Sequence, residues 1–200
     1  MTSENPSNVV WHQHMVTREE LEKLHGHRGA TLWFTGLSAS GKSTLANAVA
    51  SMLQKKMVST FVLDGDNIRH GLNKDLGFSP EDRQENIRRI GEVAKLFTSA
   101  GIVNMTAFIS PYTADRKTAR DLQPDTFIEV FCDASLEICE MRDPKGMYQK
   151  ARAKKIPGFT GIDAPYEAPV HPEISLDTGL LTVEDCVGAI VGLLKKRGIV

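Results

Sequence analysis

Gly36-Leu37-Ser38-Ala39-Ser40-Gly41-Lys42-Ser43-Thr44 constrains the fold more than any other stretch of this chain. It fits G-x-x-x-x-G-K-[ST], the phosphate-binding P-loop. The motif needs a strand before it and a helix after it, and the flanks supply both. Thr31-Leu32-Trp33-Phe34-Thr35 is a short apolar run suited to a strand, and Leu45 to Leu53 is a good helix former. Gly36 and Gly41 let the backbone turn tightly, so that its N–H groups point at phosphate oxygens. The helix that follows adds its positive end. Lys42 reaches the β- and γ-phosphates, and Ser43 is the expected Mg²⁺ ligand.

The rest of the chain reads as strands alternating with helices, which implies a parallel sheet covered by helices on both faces. Two hundred residues suit one such α/β domain. A net charge of −1 gives no global electrostatic case for nucleic acid. Cys132, Cys139 and Cys186 are odd in number and lack C-x-x-C spacing, which predicts free thiols in a reducing, cytoplasmic setting. No apolar run approaches the roughly 18 residues of a membrane span. The polar start, Met1 to Asn8, lacks the apolar segment of a signal peptide.

In chain order, residues 1–25 read as a flexible arm and a short helix capped at Thr17, and residues 26–200 as a single domain. His12, His14, His25 and His27 have no Cys or carboxylate framework, so capping or solvent-facing roles are expected rather than metal. Ser59 to Asp66 is a strand ending in two aspartates, which face the P-loop if the strands are parallel. Asp64 is placed to accept a proton from an attacking hydroxyl or to orient Mg²⁺. Asn67 to Ser79 is loop-rich. Ser79-Pro80-Glu81-Asp82 opens a long helix ending at Gly101, with Arg83 and Asn86 on one face near its start. Ile102 to Ile109 is a third strand, Thr126 to Cys132 a fourth and Glu173 to Thr178 a fifth. Val183 to Lys196 is a closing amphipathic helix.

Arg142 to Lys155 carries six basic residues against one acid, Asp143, and leads into a Pro- and Gly-rich return. A run of charge is ordinarily a solvated face. Beside a P-loop it also suits a mobile lid, placed here over about 142–165. No N-K-x-D guanine-reading sequence accompanies the P-loop, so a small-molecule kinase is favoured over a GTPase. The residues alone leave the acceptor open. A nucleoside monophosphate or a sugar acid would also fit, as would a regulatory nucleotide-binding subunit without catalysis.

Several motifs resemble the adenylylsulfate kinase family. They are Gly36 to Thr44, Leu63-Asp64-Gly65-Asp66-Asn67-Ile68-Arg69-His70-Gly71-Leu72-Asn73 with Leu76-Gly77-Phe78-Ser79, and Phe108-Ile109-Ser110-Pro111. Arg142-Asp143-Pro144-Lys145-Gly146, Phe159-Thr160-Gly161-Ile162, Ala164-Pro165-Tyr166-Glu167, Trp11-His12 and Val16-Thr17-Arg18-Glu19 also match. Ala39-Ser40 departs from a frequent Gly-Ala, at positions the P-loop leaves free. The resemblance implies a P-loop NTPase-type fold, ATP and adenylyl sulfate as substrates, Mg²⁺, and a homodimer. It assigns Asp66, Arg69, Arg83 and Asn86 to the phosphosulfate and ribose of the acceptor. Phe78 and Phe159, with Gly158 beside it, would sandwich the acceptor adenine, and Ile109 and Ser110 would touch it. Lys145 would approach the phosphates. Arg142 and the stretch from Thr178 to Leu181 would meet ATP. In this family the serine at Ser110 commonly bears the label of a phosphoserine intermediate. No general base adjoins it in sequence, so direct in-line transfer is the expectation.

Overall fold

The computed structural model of the chain describes residues 9–10 and 12–200. Met1 to Asn8 and Trp11, which belong to the expected arm and to the Trp11-His12 match, lie outside them. The first helix, α1 (Arg18–His25), opens with a capping box: the Thr17 hydroxyl accepts from the Glu20 amide and the Glu20 carboxylate accepts from the Thr17 amide. It closes at Gly26, in the left-handed region at φ +72°. His27 Nε2 accepts from the Ser59 amide at 2.9 Å, so its Nδ1 carries the proton and donates to the Arg28 carbonyl. His25 Nδ1 bonds the Gly101 carbonyl at 3.1 Å. Both rings therefore tie backbone segments together.

Five strands form one parallel sheet: β1 (Ala30–Thr35), β2 (Thr60–Asp64), β3 (Val103–Ala107), β4 (Phe127–Asp133) and β5 (Ile174–Asp177). Their order is β2-β3-β1-β4-β5. All six residues of β1 are buried, as expected of a central strand covered on both faces. The strand period of two then sorts its side chains. Leu32 and Phe34 face α2 (Lys42–Gln54) and α8 (Val183–Lys196), in a core with Leu45, Val49, Ile190 and Leu194. Trp33 faces the other way, toward Ile87, Ile90 and Ala94 of α4 (Pro80–Ser99) and Ala119 of α5 (Thr113–Asp121).

Three differences from the expected elements bear on the site. The Asn67–Ser79 loop begins as a short helix, α3 (Gly65–Arg69), because Asp64 caps it through the Asp66 amide. Second, the basic segment after α6 (Leu136–Arg142) folds into α7 (Met147–Arg152). Tyr148 and Ala151 of α7 are buried with Cys139, Ala134 and Phe159 in a small core of their own. Third, the charges in this segment divide. Lys150, Lys154 and Lys155 face solvent, and Arg152 pairs with Glu140. Of the basic residues, Arg142 and Lys145 line the cavity on the P-loop side.

Candidate active site

The strands β1, β2 and β3 all end at one edge of the sheet. The loops that follow them line a cavity of about 700 Å³. Gly36, at φ +148°, opens the P-loop where no larger residue fits: a Cβ there would stand 2.6 Å from the Cys132 carbonyl and 2.7 Å from Ser40 Oγ. Gly41, at φ +96°, is the N-cap of α2 and makes no side-chain cap bond. The first amides of α2 therefore have no side-chain partner and point into the loop's concavity. Lys42 folds back over its own loop, donating from Nζ to the Gly36 carbonyl at 3.0 Å and the Leu37 carbonyl at 2.6 Å. Burial lowers its pKa from 10.5 to about 8, against the opposing pull of nearby groups that include Asp64.

Asp64 stands at the end of β2, opposite the start of α2. Its Oδ2 accepts from Ser43 Oγ at 2.6 Å, and its Oδ1 accepts from the Asp66 amide at 3.0 Å. Two hard oxygens, one hydroxyl and one carboxylate, thus converge beside the phosphate loop. That donor set fits Mg²⁺, which keeps several waters and takes its other ligands from phosphates. No cluster of three or more His, Cys, Asp or Glu suited to a metal exists among the described residues. Asp66 forms an ion pair with Lys145, whose pKa is raised by that bond. On the far side of the P-loop, Thr178 Oγ1 donates to the Ser40 carbonyl at 2.8 Å, and Arg142 donates to the Thr178 carbonyl at 2.6 Å.

The acceptor-side residues come from separate segments that hold one another. Arg69 donates to the Leu76 and Gly77 carbonyls, each at 3.0 Å, and lies 4.4 Å from the centre of the Phe78 ring. Arg83 donates to the Phe78 carbonyl at 3.0 Å, the Gly158 carbonyl at 2.7 Å and Thr160 Oγ1 at 2.9 Å. The buried Asn86 accepts from Asn73 Nδ2 at 2.9 Å.

The cavity brings together most of the expected residues. Ser38, Ala39, Gly41, Lys42, Ser43 and Thr44 line the donor end with Arg142, Thr178 and Leu181. Asp64, Asp66, Arg69, Phe78, Arg83, Asn86, Ile109, Ser110 and Lys145 line the rest. Gly36, Leu37 and Ser40 form the loop's frame outside the lining. Gly158 and Phe159 are not in the lining either. Phe78 is 70% exposed, whereas Phe159 is 8% exposed and packs edge-on against Tyr148 at 5.0 Å. The sequence reading missed Thr182, Val183 and Cys186, which close the donor end. Thr182-x-x-Asp185 was their visible signal, a helix start that the structure confirms by the Asp185 amide donating to Thr182 Oγ1.

Ser110 occupies a left-handed conformation at φ +42° and is buried. Its Oγ accepts from Trp33 Nε1 at 3.1 Å and donates to Thr35 Oγ1 at 3.1 Å. Thr35 in turn donates to the Ile109 carbonyl at 2.7 Å. The Ser110 proton thus rests on another hydroxyl, and among the described residues no carboxylate or imidazole bonds its oxygen.

The adenylylsulphate kinase family model matches residues 28–177. The adenylyl-sulfate kinase of Marinobacter nauticus is 58% identical over 195 residues, covering 97% of this chain and 98% of that protein. The adenylyl-sulfate kinase of Acaryochloris marina is 59% identical over 195 residues, covering 97% and 95%. Among solved structures, the APS kinase of Mycobacterium tuberculosis in complex with AMPPNP and APS is 48% identical, with a TM-score of 0.80, and covers 84% of this chain and 99% of that one. With a P-loop, an Asp64–Ser43 pair and the acceptor-side residues on one cavity, and relatives matched over nearly the whole length, this chain belongs to the adenylylsulfate kinase family.

Proposed function

We propose that this protein transfers the γ-phosphate of ATP to the 3′-hydroxyl of adenylyl sulfate, giving ADP and 3′-phosphoadenylyl sulfate. The observation that carries this reading is the single cavity shared by the P-loop and the Asp66–Asn86 segment. One wall suits a triphosphate, and the facing wall offers guanidinium groups and an exposed aromatic ring to a second nucleotide. Phosphoryl transfer asks the protein for in-line placement and charge neutralisation rather than covalent help. Mg²⁺, when bound with ATP, neutralises charge on the β- and γ-phosphates.

The residues divide the work. Lys42 exchanges its carbonyl partners for phosphate oxygens, and phosphate restores the charge that burial disfavours. Ser43 and Asp64 hold the metal side of the triphosphate. Asp64 also faces the acceptor and takes the proton of its 3′-hydroxyl. Arg69, Arg83, Asp66 and Asn86 hold the sulfate-bearing nucleotide, with Phe78 stacked on its adenine. Arg142 and Lys145 add positive charge from the 142–165 lid. Phe159 supplies the second face of the adenine clamp, on the segment that Arg83 grips at Gly158 and Thr160. Transfer is direct, because Ser110 has no base to activate it. The same reading places a homodimer in the cytoplasm, to be checked by a sedimentation mass of twice the chain.

The test is an acceptor screen. ADP release should be fast with adenylyl sulfate and slower by orders of magnitude with AMP or gluconate. Equal turnover of AMP or gluconate would reassign the acceptor. No turnover with any of them would favour a regulatory nucleotide-binding subunit.

A further inference from the structure

Ala164-Pro165-Tyr166-Glu167 carries part of the family resemblance but touches neither nucleotide wall of the cavity. It runs instead across the back of the Ile109–Ser110 loop. The Glu167 amide donates to the Pro111 carbonyl at 2.9 Å, and Glu167 Oε2 accepts from the Thr113 amide at 2.7 Å. Its own carbonyl accepts from Arg116 Nη2 at 2.7 Å. Arg116 reaches onward, donating to the Ser110 carbonyl at 2.8 Å and to Glu129 Oε1 at 2.8 Å. Tyr166 Oη lies 2.9 Å from Thr35 Oγ1, the hydroxyl that holds the Ile109 carbonyl.

Two features give these bonds a purpose. Helix α5 begins right after the loop, and its N-cap, Tyr112, makes no side-chain cap bond. Glu167 supplies that cap from a distant segment, with a negative charge at the positive end of the helix. Ser110 holds a positive φ without being glycine, a conformation that persists only when its surroundings enforce it. The guanidinium of Arg116 is 3% exposed, so its donors must be matched, and the Ser110 and Glu167 carbonyls are among the partners that match them.

We infer that Glu167 and Arg116 are positioning residues for the acceptor loop, holding Ile109 and Ser110 where they meet the sulfate-bearing nucleotide. The inference rests on the proposed function for what the loop contacts. Its structural content is independent of it: the irregular segment around Glu167 acts as a latch on the acceptor loop.

Glu167 is exposed, so Glu167→Ala keeps the fold. In Glu167→Ala the KM for adenylyl sulfate should rise about fivefold, the size expected for a lost helix cap. The KM for ATP and kcat should stay within about twofold. Glu167→Gln retains an acceptor oxygen and should recover most of the loss. Without substrate, the amides of Ser110, Tyr112, Thr113 and Ala114 should exchange hydrogen about fivefold faster in Glu167→Ala than in wild type. Unchanged exchange overturns the latch. Faster exchange with an unchanged acceptor KM overturns the positioning role and leaves a structural one. Wild-type protein inert toward adenylyl sulfate would sink the proposed function, while the exchange comparison would still decide the latch.

Discussion

The donor and acceptor halves of the cavity are built in opposite ways. The phosphate loop of the donor half is local: Gly36 to Thr44 folds on itself, and Lys42 bonds carbonyls five and six residues behind it. The acceptor half is assembled from afar. Arg83 bonds Thr160 and Gly158 across 77 and 75 positions, and Lys145 pairs with Asp66 across 79. In both halves the cations suited to phosphate are satisfied by the protein itself. The difference lies in what moves when phosphate replaces those partners. Lys42 needs only its own side chain to turn. Arg83 and Lys145 must release segments that belong to the lid. The phosphate loop is therefore a rigid receptor, and the acceptor half couples binding to a change of shape.

The sharpest break of this contrast comes from Lys42→Ala. Removing the buried ammonium should lower kcat about 10³-fold, because its charge acts on the transferring group in a water-poor site. Asp64→Ala should lower kcat about 10²-fold and leave the KM for adenylyl sulfate nearly unchanged. A change confined to that KM would make Asp64 an acceptor-binding group. Stopped-time ADP assays separate the two constants.

The donor half should also carry a pH signature that the acceptor half lacks. With the pKa of Lys42 lowered to about 8, the free protein loses this charge as pH rises through 8. At pH 9, kcat/KM for ATP should fall about tenfold, while kcat holds because bound phosphate keeps the lysine protonated. The stability consequence has the opposite sign. A lysine whose folded pKa lies below its unfolded 10.5 destabilises the fold wherever it is charged. That burden is full below about pH 8 and disappears as pH rises toward 10.5. Lys42→Met should therefore raise Tm at pH 7 and change it little at pH 10.5.

Smaller effects probe the acceptor half. Phe78→Ala should raise the KM for adenylyl sulfate about tenfold through loss of base stacking, with the KM for ATP unchanged. Among the candidate catalytic groups the least loss of kcat is expected from Ser110→Ala, which should stay within about tenfold of wild type. The hydroxyl bonds Trp33 and Thr35 rather than a base, so its removal loosens a loop without removing a nucleophile.

What was legible in the sequence follows the same division. The P-loop, its strand and its helix were readable because each depends on neighbours a few residues away. Ser79 and Thr17 announced helices for the same reason, and the structure has Ser79 Oγ accepting from the Asp82 amide at 3.1 Å. The basic run at 142–155 was legible as charge but not as direction: a buried Tyr148, whose hydroxyl donates to the Ser38 carbonyl at 3.0 Å, anchors that run beside the P-loop. The burial of Phe159, the closing of the donor end by Cys186 and the Glu167 latch were not legible. Each depends on contacts between distant segments, which no periodicity records.

The central claim is that the two halves face each other closely enough for one direct transfer. ATP made chiral at its γ-phosphorus tests this most directly, with adenylyl sulfate as acceptor. A single in-line displacement predicts that the 3′-phosphate of the product has inverted configuration. Retention would mean two displacements and a phosphorylated protein, and it would contradict the account.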